Sequence, residues 1–282
     1  MFGLTIYTDE ELKRIQSLEL AALKELIRIC EAKNIDYFLI DGAAIGAVRH
    51  HGFIPWDDDI DVGMTRENYR RFLQEAPAVL SDRYYLQTPY NGKNSPYFYS
   101  KLRVNGTRFV EYCNRKLDIH DGVYIDICPF DEVPDKEIAN MIHFHTCQLL
   151  IHLFVWRQSP ELSAPPVGVK GRVRSSIRSV MHYALKLIPY DMLAYALEAE
   201  TTKHNGTGQE AFAFLHYPKR KVDYIKKEEL FPLRSERVEK IGVNLPGDTD
   251  AYLKRHYGNY MELPSEEKRY GHKPYFISLS QE

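Results

Sequence analysis

The sequence is poor in the features that would assign it to several large protein classes. Its four cysteines, Cys30, Cys113, Cys128 and Cys147, form no CxxC pair. That spacing excludes the common zinc frameworks and argues against a disulfide scaffold, so a reduced, cytoplasmic setting is expected. There is no surplus of positive charge, since 37 Lys and Arg stand against 39 Asp and Glu. A nucleic-acid partner is therefore not expected. No apolar run reaches the roughly 20 residues that span a bilayer. Charged residues begin by Asp9, with no charged-then-apolar leader before them. Neither an internal repeat nor a low-complexity tract is present. Tryptophan is scarce, but tyrosine reaches 20 copies, and its apolar ring with a polar tip suits broad polar clefts. The remaining composition, 44% hydrophobic and 27% charged over 282 residues, fits a soluble globular chain of one large or two small domains.

Local signals then divide the chain. Thr8 and Glu11 have capping-box spacing. Leu12, Ile15, Leu18, Ala22, Leu23, Leu26, Ile27 and Cys30 follow at helical intervals, which predicts an amphipathic helix over 9–33 stopped by Asn34. Residues 37–40 read as a buried strand, 41–48 as a turn into a short helix, and 59–64 as a strand of alternating polarity. A helix is expected over 65–76, with Thr65 as its cap. Strands are expected over 84–90, 97–104, 106–112 and 123–127, with Asn105-Gly106 as a hairpin turn. Residues 136–157 and 170–200 read as helical. Short strands and turns fill 218–245, and a helix over 249–256 is stopped by Gly258.

The chemistry concentrates in four carboxylates within five positions: Asp57, Asp58, Asp59 and Asp61. On a strand, residues two apart share a face. Asp59 and Asp61 then point together, Asp57 joins them at the strand entrance, and Asp58 points away. Crowded like charges are unfavourable unless something neutralises them. A hard divalent cation does so, and oxygen ligands suit Mg²⁺ or Mn²⁺. Asp126, flanked by Ile125 and Ile127 in a strand, is the best third carboxylate for a two-metal site or a general base. Asp118, Asp121 and Asp131 are weaker, since turn chemistry explains them.

Gly42 and Gly46 bracket a strand-to-helix turn, whose backbone N–H groups suit phosphate. Arg49 follows as a candidate for phosphate oxygens. Lys101 and Arg103 alternate on a strand and face either the cleft or solvent. His143 and Cys147 lie one helical turn apart, but His145 falls on the other face, which favours a structural role. Residues 168–188 carry Lys170, Arg172, Arg174, Arg178 and Lys186 with no acid. This pattern reads either as a membrane-surface helix or as a core-packed helix with a solvated basic face. Lys268, Arg269 and His272 either close over a substrate phosphate or form a solvated tail.

Taken together, residues 41–62, and above all the string RHHGFIPWDDDID at 49–61, resemble the signature of the LicD family. Ile29-Cys30-Glu31 before Tyr37-Phe38, the block Tyr124–Asp131 and the block Tyr257–Pro264 agree with it. At the turn, this chain has Asp41 and Ala43 where family members usually carry a second Gly and a Thr or Ser. The resemblance implies an α+β, nucleotidyltransferase-like mixed sheet flanked by helices, with a mostly helical second half. The resemblance spans roughly residues 10–135 and 245–270, and the chain is expected to divide into a catalytic core over 1–135, a membrane- or acceptor-facing helical region over 136–205, and a stretch over 206–282 that completes the cleft. The resemblance also implies transfer of a phospho-alcohol, typically phosphocholine from CDP-choline, to a bacterial surface glycan, with fukutin-related ribitol-phosphate transferases as distant relatives. By that match Asp57, Asp59, Asp61 and Asp126 are metal ligands, with Asp59, Asp61 and Asp126 catalytic. Gly42, Gly46, Arg49, Lys101 and Arg269 are then expected to bind substrate. The expected partners are a CDP-linked alcohol and a glycan or lipid-linked glycan, met in the cytoplasm or at the inner face of the membrane. The competing readings are a true nucleotidyltransferase and a non-catalytic nucleotide-binding module.

Overall fold

A computed structural model describes residues 7–91, 94–216 and 219–279. Pro218, the first residue of the stretch read as short strands and turns, lies outside them. The chain opens with α1 (Asp9–Lys33), β1 (Phe38–Leu39), α2 (Asp41–Ile45) and a π-helical turn over 46–50. Next come β2 (Asp61–Thr65), α3 (Arg66–Glu75), β3 (Tyr84–Gln87), β4 (Ser100–Val104), β5 (Arg108–Val110) and β6 (Tyr124–Val133). Three helices follow: α4 (Glu137–Gln158), α5 (Gly168–Leu185) and α6 (Tyr190–Thr201). The remainder is β7 (Ala211–Ala213), β8 (Tyr224–Lys226), α7 (Lys227–Leu230), β9 (Arg234–Val238), β10 (Ile241–Leu245), α8 (Thr249–Tyr257) and β11 (Phe276–Ser278).

The fold class is α+β, as expected. The order β1-β2-β6-β4-β3 forms the main sheet, which β7 and β8 extend from the far end of β6. Among the described residues, β2 and β6 are the one parallel pair of this sheet; the other pairs are antiparallel. The parallel register sets Asp61 beside Asp126. The antiparallel register on the other side of β6 sets Lys101 beside Asp126. Register partners project from the same face of a sheet, so the pairing alone brings these three side chains together.

α1 begins at the reciprocal Thr8–Glu11 capping box and ends at Asn34 in the left-handed region. Its stripe Ile15, Leu18, Ala22, Leu23 and Leu26 enters the main core with Val62, Ile125, Ile127 and Leu102. At a coefficient of about 25 cal/mol per Å², such a stripe stabilises far more than the helix's own propensity. A second apolar cluster joins Phe144, Cys147, Ile151 and Phe154 of α4 to Leu193 and Leu197 of α6 and to Ala211 and Ala213 of β7.

Four sequence expectations need correction. Asn105-Gly106 is a turn, but not a hairpin between partnered strands: β4 pairs with β3 and β6, and β5 pairs with β11. Instead, the backbone N–H groups of Val104 and Phe109 donate to the carbonyls of Val123 and Asp121, so the chain entering β6 lies between the two arms. The helix expected over 170–200 is two helices, because Pro189 cannot supply the N–H that a continuous helix needs. By length and composition α4 is apolar enough to cross a membrane, although no uninterrupted apolar run reaches that length. Thr65 does stand at the start of α3, but its side chain makes no capping bond there.

Candidate active site

The site forms where β2 and β6 lie side by side. Asp61 opens β2, and Asp57, Asp58 and Asp59 precede it in a loop fixed from two sides. The Asp57 N–H donates to the Ile54 carbonyl at 2.9 Å, and Gln16 of α1 donates to the Asp57 carbonyl at 2.8 Å. The Asp59 carboxylate lies close enough to add to the burial that raises the Asp57 carboxyl. Asp58 faces the C-terminal segment and is almost wholly buried. It accepts from the His272 N–H at 2.9 Å and lies 3.0 Å from His272 Nδ1. His272 is also 3.8 Å from Asp59, so the C-terminal segment is laid over the acidic loop.

The electrostatics follow from crowding away from water. Burial, reinforced by Asp59 and Asp58, pushes the Asp57 carboxyl up to about 8. Burial, with Asp58 and Asp126 adding to it against the opposing pull of His272, puts Asp59 at about 6. Asp61 is raised well above the carboxylate range by burial and then by Asp59, Asp126 and Asp41. Asp126 is raised by burial, and Lys101 works against the shift. The Lys101 ammonium lies 2.7 Å from Asp126 and 3.5 Å from the centre of the Tyr124 ring. Lys101 is itself buried, so it serves as the counter-charge of Asp126 rather than as a free cation awaiting phosphate.

The residues fit a hard divalent cation. Oxygen donors come from two adjacent strands, where Asp61 stands beside Asp126, and from the loop that enters one of them, and burial with mutual repulsion raises the carboxyls of Asp57, Asp59 and Asp61. Asp57, Asp59, Asp61 and Asp126 are the residues that would hold the ion. Among the described residues, the three-residue groups with possible ligand atoms all within 4.8 Å of one another are Asp58–Asp59–His272, Asp41–Asp223–His256 and His143–Cys147–Glu200; none of them is made of Asp57, Asp59, Asp61 and Asp126 alone.

The other expected substrate ligands are placed less simply. A Cβ on Gly42 would lie 2.5 Å from Asp57 Oδ2, so glycine there lets the acidic loop approach the start of α2. Gly46 is packed against the Gly52 carbonyl, where a Cβ would again meet an atom at 2.5 Å; this gives it a packing role in the π turn. Arg49 donates from Nη1 to the carbonyls of Tyr260 and Glu262 and from Nε to His50, which ties the C-terminal block to that turn. Arg103 is buried, donating to Gln87 and to the Gly122 carbonyl. Arg269 donates to the Pro264 carbonyl at 2.9 Å and stacks 5.3 Å from the Trp56 ring, next to Asp57.

A sequence profile described as "LicD/FKTN/FKRP, nucleotidyltransferase domain" matches residues 34–149. That span contains the whole carboxylate set and the register pairing that assembles it. Over that span the chain is similar to the LicD family. The similarity extends further along the chain in one relative, the lipopolysaccharide cholinephosphotransferase LicD of Haemophilus influenzae. It is 24% identical over 265 residues, covering 88% of this chain and 89% of the relative. The ribitol 5-phosphate transferase FKRP of human and of mouse is 38% identical over 72 residues, which is 23% of this chain and 14% and 15% of those proteins.

Around these carboxylates the structure adds residues that the sequence did not single out. Glu19 of α1 is buried beneath them, its carboxyl raised by burial and by Asp59, Asp58, Asp57 and Asp61. The signal was available: Glu19 falls among Ile15, Leu18, Ala22 and Leu23 on the apolar stripe, where an ordinary solvated acid does not belong. Asp41 has φ of 48°, a conformation open to Asp and natural to Gly, at a position where the family usually has glycine nearby. Its carboxylate accepts from Tyr252 and Tyr257 and lies 2.9 Å from His256 Nδ1, which is equally close to the buried Asp223. Burial alone would lower the His256 imidazole, but Asp223 and Asp41 carry it up to about 9. Nothing in the sequence links positions 41, 223 and 256. Of the weaker acids, Asp131 forms a buried bidentate pair with Arg66, and Asp121 pairs with Arg108. His143 lies 3.1 Å from Glu200, while Cys147 Sγ is 3.9 Å from both ring nitrogens and so faces the ring rather than one lone pair. This favours the structural reading, with His145 exposed on the other side.

Proposed function

We propose that this protein transfers a phospho-alcohol from a CDP-activated donor, phosphocholine being the first candidate, to a hydroxyl of a glycan or lipid-linked glycan, releasing CMP. The names of the relatives, cholinephosphotransferase and ribitol 5-phosphate transferase, support phospho-alcohol transfer as the class of reaction. The observation that carries the reading is the parallel register of Asp61 with Asp126, with Asp57 and Asp59 leading into the same face.

Mg²⁺ or Mn²⁺, when bound, supplies charge neutralisation on the donor phosphates. The chain's own residues do the rest. Gly42 leaves room for Asp57 to stand against the start of α2. Arg269, held on Trp56, offers the remaining edge of its guanidinium at the rim. Asp126, with a raised pKa and steadied by Lys101, accepts the proton of the acceptor hydroxyl. The hydroxyl oxygen forms its bond to the phosphorus that bears the alcohol, the bond from that phosphorus to the CMP phosphate oxygen breaks, and its electron pair leaves with CMP. An acceptor has room beside this point: a cavity of about 550 Å³ is lined by Tyr97, Tyr99 and Trp156, and both tyrosines also face the Lys101 ammonium.

A panel of CDP-alcohols with Mg²⁺, assayed for CMP, tests the proposal. The family profile is described as a nucleotidyltransferase domain, which favours one second reading, transfer of the nucleoside monophosphate from a triphosphate. Pyrophosphate in place of CMP supports that reading and rejects the first.

A further inference from the structure

The helix α5 is amphipathic in the reverse sense from a core helix. Its inward side is held by polar contacts: Arg178 donates to the carbonyls of Ser159 and Val155 at 3.0 and 3.1 Å, and His182 lies 3.1 Å from the Trp156 carbonyl. Leu185 is the one large apolar residue of α5 in the core. The outward side carries Val169, Val173, Ile177, Val180 and, just past the helix, Leu187, all more than half exposed. At about 3.6 residues per turn these form one stripe along the helix. Lys170 and Arg174 flank the stripe on one side, and Arg172 and Lys186 on the other. No acid occurs from 168 to 188, and among the described residues none of these four bases is ion-paired. An apolar stripe between two basic margins has the form of a helix lying in the plane of a bilayer, with the stripe among acyl chains and the bases at anionic headgroups. Tyr183, also exposed, sits beside the stripe where an amphipathic ring suits the interface.

We infer that the outward face of α5 docks this protein on an anionic membrane surface. The occupant is chosen by charge: a protein partner or a second copy would have to bring carboxylates to both margins, whereas a bilayer containing acidic lipids presents anionic charge on every side. Arg174 and Arg178 of the same helix also line the cavity that reaches Tyr97 and Tyr99, so docking brings the proposed acceptor pocket to the lipid surface. The inference deepens the proposed function by naming where the acceptor is met, but vesicle binding is measured without turnover and can fail independently of it.

The test is flotation of the full chain with vesicles of phosphatidylcholine, alone or mixed with phosphatidylglycerol. Binding is expected only to the mixed vesicles and should weaken with added salt. Lys170→Gln with Arg174→Gln should reduce partition roughly 30-fold, at about fivefold per charge. Ile177→Asp should abolish it while circular dichroism stays unchanged, since Ile177 is exposed. Failure of the wild type to float with mixed vesicles overturns the inference, as does equal binding to pure phosphatidylcholine. Sedimentation velocity without lipid covers the remaining alternative: self-association of the wild type that Ile177→Asp removes would make the face a protein interface and overturn membrane docking.

Discussion

Asp59 stands between the two demands on the acidic loop. It adds to the burial that raises the Asp57 carboxyl, is itself raised by burial and then by Asp58 and Asp126, and is the carboxylate that His272 approaches after Asp58. Asp59→Asn should lower CMP release by roughly a thousandfold. The same change removes a repelled charge, so in EDTA the variant should unfold at equal or higher urea concentration than the wild type, by on the order of 1 kcal/mol. A variant that is both inactive and clearly less stable would point to a structural role for Asp59. Lys101 makes the opposite case. Lys101→Met leaves Asp126 buried without its counter-charge and should cost about 3 kcal/mol in urea unfolding. The double variant Lys101→Met, Asp126→Asn should recover most of that loss without recovering activity. Independent, additive losses would show that the two side chains are not coupled.

At the level of elements, α2 and the acidic loop meet at a glycine. Gly42→Ala would place a methyl group 2.5 Å from Asp57 Oδ2. The loop would have to withdraw, and the protein should stay folded while half-maximal activity moves to at least about tenfold higher Mg²⁺, a change of about 1.4 kcal/mol. Unchanged Mg²⁺ dependence would remove Asp57 from the ion site. Much of this geometry was legible in the sequence because it depends on periods. The alternation of Asp59, Ile60, Asp61 and Val62 separated the carboxylates from the core, and Ile125-Asp126-Ile127 marked a second polar position on a buried strand. What the sequence could not give was pairing. Strand register arises from contacts between distant segments, so it was not evident that Lys101 would face Asp126, or that β5 would leave β4 for β11. Arg49 shows the same limit from the other direction. Its spacing suits a phosphate ligand, but the C-terminal block, 211 residues away in sequence, takes its Nη1.

At the scale of the whole molecule, charge burial couples stability to pH and, on the proposed function, to divalent cations. The folded chain holds Asp57 at about 8 and Asp59 at about 6, whereas unfolded aspartates titrate near 4. Between those values the folded state binds more protons than the unfolded one, so stability falls as pH rises from about 4 to about 8. His256 acts in its own window. Its folded value of about 9 lies above the unfolded value, so its contribution is full below about 6.5 and is lost as pH rises through 9. In EDTA the melting temperature should therefore decline across neutral pH. Because the ion needs the deprotonated carboxylates, the rise in melting temperature on adding Mg²⁺ or Mn²⁺ should grow between pH 6 and 8. Calorimetry across that range checks this, and a cation effect that shrinks with pH would contradict it.

The most direct measurement is the product formed from CDP-choline and a glycan acceptor by the wild type and by Asp59→Asn, with Mg²⁺ and with EDTA. The wild type should release CMP in step with phosphocholine appearing on the acceptor, and only when Mg²⁺ is present. Asp59→Asn should release almost none. CMP release that survives both EDTA and the loss of the Asp59 charge would contradict a cation-dependent transferase built on β2 and β6.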